Sequence, residues 1–315
     1  MDLTKLEAGG DLAHHTPFAV PKKVKWITDR YGFRKKDAEG TRPQVVIIGD
    51  SNIAGSRLTQ EEMVSEVLES ELDISVYPYA PTGFNSFLKD LRFKKVPPRV
   101  VIVSVIERDI LNLPFPKLRK RRESLLFLYE WKNQIKEAGW AQSAGVLLDR
   151  LFKMNMLRYA RAKMGNRVVR EAYQFPSKFG PMYFLEGERA NREVPDDQFE
   201  RAIKTLETYN GVVRERGIRF IFAPIPNKET IFYECLGTQR PIFLKQLVAR
   251  LKELNVETVD TQTAFEQAFQ KGILLYQKDD THWNAEGVRI VADLLRHLIE
   301  KGRSARPLGA RNRSD

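Results

Sequence analysis

Residues 45–56 read VVIIGDSNIAGS, an apolar run that stops abruptly. Four β-branched residues (45–48) are followed at once by Gly49, Asp50 and Ser51. An unbroken run of this kind is typical of a central strand in a parallel sheet that helices cover on both faces. Open sheets of this class bind ligands at the carboxyl ends of their strands, where Ser51 would stand. The alternative is that Asp50 and Ser51 only cap the next helix.

Strands and helices alternate along much of the chain. Further strands are predicted at 73–80, 99–110, 218–226 and 256–260, and helices at 58–72, 196–216, 241–254 and from Asn284 onward. This alternation predicts one α/β domain, a flavodoxin-like three-layer sandwich with a parallel sheet.

The regions outside the alternation predict three further features. Residues 1–25 lack periodicity, which predicts a flexible N-terminal arm before a domain at 26–302. Residues of about 111–190 interrupt the alternation with apolar residues at helical spacing, which predicts a helical insertion over the sheet. Residues 303–315 are rich in Gly, Arg and Ser, which predicts a disordered basic tail.

The net charge of +11 is concentrated in the predicted insertion. Residues 117–170 hold 14 Lys and Arg against 4 Asp and Glu. Such a block can contact nucleic acid, anionic lipid or an acidic glycan, although a solvated helical face has the same composition. We expect no nucleic-acid partner.

Residue counts restrict the chemistry. The single cysteine, Cys235, excludes an internal disulfide and argues against a thiolate zinc site, and the four histidines also limit metal chemistry. We expect neither a metal nor another cofactor. No stretch approaches the roughly 18 apolar residues that span a bilayer. The first 25 residues lack the pattern of a secretory signal. The protein is therefore expected to be cytoplasmic or an exported domain without its leader.

A serine becomes a strong nucleophile only when a base, usually histidine, accepts its proton. His14 and His15 lie in the predicted arm, and His297 lies within the last helix. His282 instead follows two aspartates on a loop before that helix, where a base could meet Ser51. The alternative is that this Asp-rich turn only caps the helix.

Several motifs carry a family resemblance. VVIIGDSNIAGS resembles the first block of the SGNH (GDSL) hydrolase superfamily, and YGFRKKD (31–37) resembles an element that precedes this block in many SGNH proteins. KDDTHWNAEG (278–287) resembles the Asp-Thr-His-Trp block of the alginate O-acetyltransferase-like branch, the AlgX and AlgJ type. VSVIERDI (103–110) and FAPIPNKETIFYE (222–234) are similar to strand ends of the same branch. The matches are spread over roughly residues 30–300 and imply an SGNH fold.

The resemblance implies a triad of Ser51, His282 and Asp280. Ordinary SGNH hydrolases use the aspartate three residues before the histidine, here Asp279, but the Asp-Thr-His-Trp block favours Asp280. In the alginate branch this block precedes the serine block, whereas here Ser51 comes first.

The resemblance also implies where substrate groups bind. The amides of Ser51 and Gly83 would hold the oxyanion, with Asn85 a weaker candidate near Gly83. The asparagine of the usual third SGNH block is missing, and Arg108 would take its place. The alternative is that Arg108 pairs with its neighbour Glu107. Lys228 and Trp283 would line the acceptor groove.

The expected function is therefore O-acetylation of a polysaccharide through an acetyl-serine intermediate. An esterase or deacetylase acting on acetylated glycan is the first alternative. A catalytically inactive glycan- or membrane-binding module is the second. The resemblance further implies a polysaccharide acceptor, an acetyl donor, a membrane-bound acetyl-transfer partner and an extracytoplasmic location.

Overall fold

The computed structural model describes residues 2–7, 9–13, 19–36, 42–117, 172–185, 191 and 193–304. The strands are β1 (Asp2–Glu7), β2 (Lys22–Ile27), β3 (Val45–Gly49), β4 (Val76–Tyr79), β5 (Val100–Ile106), β6 (Ala172–Ser177), β7 (Gly180–Leu185) and β8 (Arg219–Ile225). The helices are α1 (Val64–Leu72), α2 (Phe84–Phe87), α3 (Leu91–Lys95), α4 (Asp196–Arg214), α5 (Lys228–Ile231), α6 (Phe243–Glu253), α7 (Thr261–Gln270) and α8 (Ala285–Ser304). Short 3₁₀ turns occupy Gln60–Glu62 and Glu107–Asn112.

A parallel sheet in the order β4-β3-β5-β8 forms the centre of the fold. Ile48 of β3 pairs with Val103 of β5, which pairs with Phe222 of β8. On the far side of β8 the predicted strand at 256–260 is reduced to one parallel bridge, from Thr258 to Phe222. The strand order is flavodoxin-like, and the predicted fold class is confirmed.

Alternate side chains of the central strands enter two separate cores, which makes the fold a three-layer sandwich. One core joins Ile47 and Ile102 to apolar residues of α1, α7 and α8. The other joins Ile48 and Val103 to apolar residues of α2, α3, α4 and α6. All five residues of β3 are buried, because helices cover both faces of the sheet. None of the described helices combines the length and apolar composition needed to cross a bilayer.

The prediction of a flexible arm at 1–25 is wrong for the part that the structure describes. β1 pairs with β2 in an antiparallel ribbon, from Asp2 opposite Ile27 to Glu7 opposite Lys22. Main-chain hydrogen bonds define this ribbon, and Val24 is the residue of β2 that is fully buried. A strand such as β2, with one fully buried side chain, leaves little apolar periodicity in the sequence.

Part of the predicted helical insertion is also corrected. Residues 172–185 form the β6-β7 hairpin, and Met182 and Phe184 of β7 are buried in the core on the α8 face. Residues 118–171, with most of the basic block, lie outside the described residues. The predicted disordered tail begins too early, since α8 extends to Ser304. Helix α7 was not predicted; Asp260 caps it by accepting from the amide of Thr263 at 3.1 Å.

Candidate active site

The carboxyl end of β3 brings Ser51 to the sheet edge. Gly49 is required there, since a Cβ atom at this position would lie 2.7 Å from the carbonyl oxygen of Ser104 on β5. The carboxylate of Asp50 accepts hydrogen bonds from the amide of Asn52 (2.8 Å) and, across the sheet, from that of Ile106 (3.1 Å). Because a turn follows Ser51 and α1 begins only at Val64, the capping alternative is wrong.

Ser51 and His282 meet across 231 residues of sequence. Ser51 Oγ lies 2.7 Å from His282 Nε2. The other ring nitrogen, Nδ1, contacts Asp280 Oδ1, which also accepts the backbone amide of His282 at 2.9 Å. The His282 and Asp280 side chains are only 11% and 3% exposed. This is the geometry in which a carboxylate orients an imidazole that can accept a serine proton.

Burial and mutual contact shift both titrating partners. Burial alone would lower the pKa of His282, but the hydrogen bond and charge of Asp280 outweigh burial and raise it. Burial alone would raise the pKa of Asp280, yet the contact with His282 keeps it well below its usual range. Asp280 is therefore ionised at neutral pH and stabilises the imidazolium that forms when the neutral His282 accepts a proton.

The adjacent Asp279 has different partners. Its Oδ2 accepts hydrogen bonds from the amides of Gly10 (2.8 Å) and Val20 (2.7 Å). Its carboxylate lies 3.4 Å from the buried guanidinium of Arg57. Of the two aspartates, Asp280 is the one on the imidazole, while Asp279 secures the N-terminal segment.

Lys228 and Trp283 are fully buried, which corrects their prediction as lining residues of an acceptor groove. Lys228 Nζ donates to the carbonyl oxygens of Gln277 (2.6 Å), Lys278 (3.1 Å) and Asp280 (3.1 Å). Burial lowers the pKa of Lys228 to about 8, against the opposing effect of nearby acids. Lys228 therefore binds the backbone of the loop that carries Asp280. Because it is fully buried, it is not accessible to substrate.

The candidate oxyanion-binding groups differ in their positions and hydrogen-bond partners. Gly83, at the start of α2, lines a cavity of about 390 Å³ together with Gly49 and Asp50. Among the described residues, no group accepts a hydrogen bond from the amides of Ser51 or Gly83. Asn85 is already used, since its side chain bonds the backbone of Phe115 (3.1 Å) and Lys117 (2.7 Å). A role for Asn85 in substrate binding stays a prediction.

Arg108 lies beside a group of buried acids. Glu107 accepts from the amide of Asn227 (2.9 Å) and the hydroxyl of Thr230 (2.5 Å), and burial raises its pKa to about 7. The charge of Arg108 acts on Glu107 and on the buried Glu229. Its Nη1 is buried without a hydrogen-bond partner among the described residues. A role for Arg108 at the oxyanion stays a prediction.

Asp11 and Arg57 both contact this site, and no motif in the sequence indicates either residue. Asp11 accepts from the amide (2.8 Å) and hydroxyl (2.7 Å) of Thr281. Arg57 reaches Asp279 and the carbonyl of Val20. Both residues contact backbone or side-chain groups of loop residues, and no spacing of residues in the sequence indicates such contacts. Of the remaining histidines, His297 is exposed on α8, and His14 and His15 lie outside the described residues.

Ligand atoms of Asp11, Asp280 and His282 lie within 4.8 Å of one another. Three such groups can in general hold a cation. Here they already bond Thr281, the amide of His282 and the hydroxyl of Ser51, so a cation would have to displace those contacts.

Among the comparisons with known proteins, one family model matches the carboxyl-terminal part of the chain. Residues 183–313 match the model of a family described as the SGNH hydrolase-like domain of the acetyltransferase AlgX. This AlgX-type segment contains Lys228, Asp280 and His282, and Ser51 lies outside it.

Two relatives and one solved structure illustrate the likeness. The protein named "Probable alginate O-acetylase AlgJ" is 28% identical over 94 residues in Pseudomonas putida and 30% identical over 93 residues in Pseudomonas aeruginosa. These alignments cover 28% and 27% of this chain, which spans 24% of the length of either relative. A lipolytic protein of the G-D-S-L family from Veillonella parvula is 12% identical, with a TM-score of 0.41, over 82% of this chain and 98% of that one.

Proposed function

We propose that this chain is a polysaccharide O-acetyltransferase that works through an acetyl-Ser51 intermediate. The observation that carries the proposal is the 2.7 Å contact between Ser51 Oγ and His282 Nε2, with Asp280 on the opposite ring nitrogen. The AlgX-type match of residues 183–313 and the AlgJ relatives support acetyl transfer to a polysaccharide as the overall reaction.

The first half-reaction acetylates the serine. Ser51 Oγ attacks the carbonyl carbon of an acetyl ester, and its proton moves to His282 Nε2. The amides of Ser51 and Gly83 stabilise the negative oxygen that forms, and Arg108 adds a positive charge. The C–O bond to the donor then breaks. The leaving oxygen takes the proton from His282, and acetyl-Ser51 remains.

The second half-reaction transfers the acetyl group. His282 Nε2 removes a proton from a sugar hydroxyl, whose oxygen attacks the acetyl carbon. The bond to Ser51 Oγ breaks, and the hydroxyl of Ser51 regains the proton from His282. If water enters in place of the sugar, the same groups hydrolyse the ester, so acceptor access separates a transferase from an esterase.

The partners follow from this reaction. It requires an acetyl donor and a polysaccharide acceptor. The names of the AlgJ relatives support a polysaccharide acceptor. We further propose that this glycan lies outside the cytoplasm and that a membrane-bound protein delivers the acetyl group.

The test is mass spectrometry after incubation with a small acetyl ester. We expect one acetyl group on Ser51 in the wild type and none in Ser51→Ala, with turnover lowered by several powers of ten. Ser56→Ala is the matched control, because Ser56 lies in the same turn and its contact to Ser51 is made through the backbone amide. Adding candidate polysaccharides should speed the loss of the acetyl group and acetylate the sugar. An adduct that persists in Ser51→Ala would refute the proposal, and loss of the acetyl group to water alone would make the protein an esterase.

A further inference from the structure

The N-terminal segment 9–13 contacts three consecutive residues of the loop that carries the histidine. The amides of Leu12 and Ala13 both donate to the carbonyl oxygen of Asp279 at 3.2 Å. The amide of Asp11 donates to Asp280 Oδ2 at 2.9 Å. The carboxylate of Asp11 then accepts from both the amide and the hydroxyl of Thr281.

Gly10 shows that this contact is close. A Cβ atom there would collide with the carbonyl oxygen of Asp279 and lie 2.6 Å from Cβ of Asp280. The position therefore admits only glycine without a shift of the loop. Beyond the segment, Val20 reaches the same loop by donating its amide to Asp279 Oδ2 at 2.7 Å.

The two oxygens of the Asp280 carboxylate have different partners. Oδ1 faces the imidazole and the amide of His282, while Oδ2 is held by Asp11. A carboxylate fixed through both oxygens cannot rotate away from the ring. The orientation of His282 toward Ser51 therefore depends on a segment about 270 residues earlier in the chain.

We propose that Asp11 is a positioning residue of the active site: its amide fixes Asp280 and its carboxylate fixes Thr281, so that His282 is held in line with Ser51. This inference rests on the proposed function. It assigns to the N-terminal segment a part in catalysis that the AlgX-type match, confined to residues 183–313, does not cover.

Asp11 also acts on His282 through its charge. The carboxylates that face the imidazole belong to Asp280, Asp11 and Asp50, and all three favour its protonated form. Two cations lie on the far side of the same loop: Lys228 beneath its carbonyls, and Arg57 with Nε 4.0 Å from Asp280 Oδ2. Removing the charge of Asp11 should therefore lower the pKa of His282.

The test compares Asp11→Asn and Asp11→Ala with Asp260→Asn and Asp260→Ala. Asp260 is a matched control, because its carboxylate also accepts from the amide (3.1 Å) and hydroxyl (2.8 Å) of one threonine, Thr263, at the start of α7. Two quantities are measured: kcat and KM for a small acetyl ester, and the pKa of His282 by NMR titration of the imidazole.

We expect kcat to fall by about tenfold in Asp11→Asn and further in Asp11→Ala, since bonds to charged groups orient the loop. KM should change little, and the pKa of His282 should fall in both variants. The Asp260 variants should lower Tm without either effect. If the Asp11 variants lose only Tm, as the Asp260 variants do, Asp11 is a structural residue and the inference is wrong.

The NMR readout separates the two proposals. If the wild type forms no acetyl-Ser51, the proposed function fails. A drop in the pKa of His282 in Asp11→Asn would still show that the N-terminal segment acts on the imidazole.

Discussion

The adjacent residues Asp279 and Asp280 permit a sharp test, since each holds one buried carboxylate with different partners. Asp280→Asn keeps the side-chain shape but stabilises the wrong tautomer of His282, because the amide can donate to Nδ1. A change of this kind in a Ser-His-Asp triad lowers kcat by about 10⁴-fold. Asp279→Asn leaves the ring contact in place, so turnover should fall by no more than about tenfold.

The cost in stability of Asp279→Asn follows from its contacts. In Asp279→Asn an amide oxygen can still accept from Gly10 and Val20, but two bonds to a charged acceptor become neutral bonds. That change costs about 1 kcal/mol for each bond. Arg57 also loses a partner at 3.4 Å, although Glu7 and Asp280 remain at 4.0 Å. A total of about 2–3 kcal/mol corresponds to a fall in Tm of about 3–5 °C for a chain of this length.

The assay is turnover of a small acetyl ester at a temperature where circular dichroism shows both variants folded. Each variant is the control for the other, because both remove one negative charge from neighbouring buried positions. Equal losses of turnover, or a larger loss in Asp279→Asn, would refute the assignment of Asp280 and would favour the aspartate that ordinary SGNH hydrolases use.

Two further predictions concern pH. His282 must be neutral to accept a proton, and Asp280 raises its pKa, so kcat/KM should fall as pH drops through a value above the ordinary 6.5; in Asp280→Asn the midpoint of any residual activity should move to lower pH. The buried carboxyl of Glu107 has a pKa of about 7 in the folded chain against 4.5 in the unfolded chain. As pH rises from 4.5 to 7, the unfolded state therefore releases its proton first, and the free energy of unfolding falls by about 3 kcal/mol. Glu107→Gln keeps an acceptor for Asn227 and Thr230, and should therefore raise Tm at pH 8 but not at pH 4.5; an equal Tm for wild type and variant at pH 8 would contradict this account.

The sheet and the serine–histidine pair could be predicted because each depends on a strong local signal. Four β-branched residues at 45–48 specify a strand buried on both faces, and its end places Ser51 without further information. His282 stands out because its loop precedes an amphipathic helix, and the helices of a parallel α/β sheet begin at the carboxyl edge, where Ser51 stands.

The environments of the other candidates could not be predicted, because they depend on which groups a side chain reaches. Lys228 and Asn85 are polar residues near the site, and sequence position alone suggests solvent and substrate. In the structure both bond backbone groups, Lys228 from complete burial. The N-terminal segment was missed for a related reason, since Gly10 and Asp11 donate backbone amides, which every residue type except proline possesses, and the Asp11 carboxylate binds Thr281 across 270 residues of sequence.

The order of the motifs along the chain is compatible with this site because of the sheet. Parallel strands all end at one edge, so a residue after the first strand and a loop before the last helix meet there whatever segment lies between them. Ser51 at the end of β3 and His282 before α8 meet in this way across 231 residues. A family match can therefore begin only at residue 183 and omit the serine while both residues still share one site. The same reasoning explains the N-terminal segment: its contacts to residues 279–281 require only that it passes that edge, and β1 and β2 bring it there.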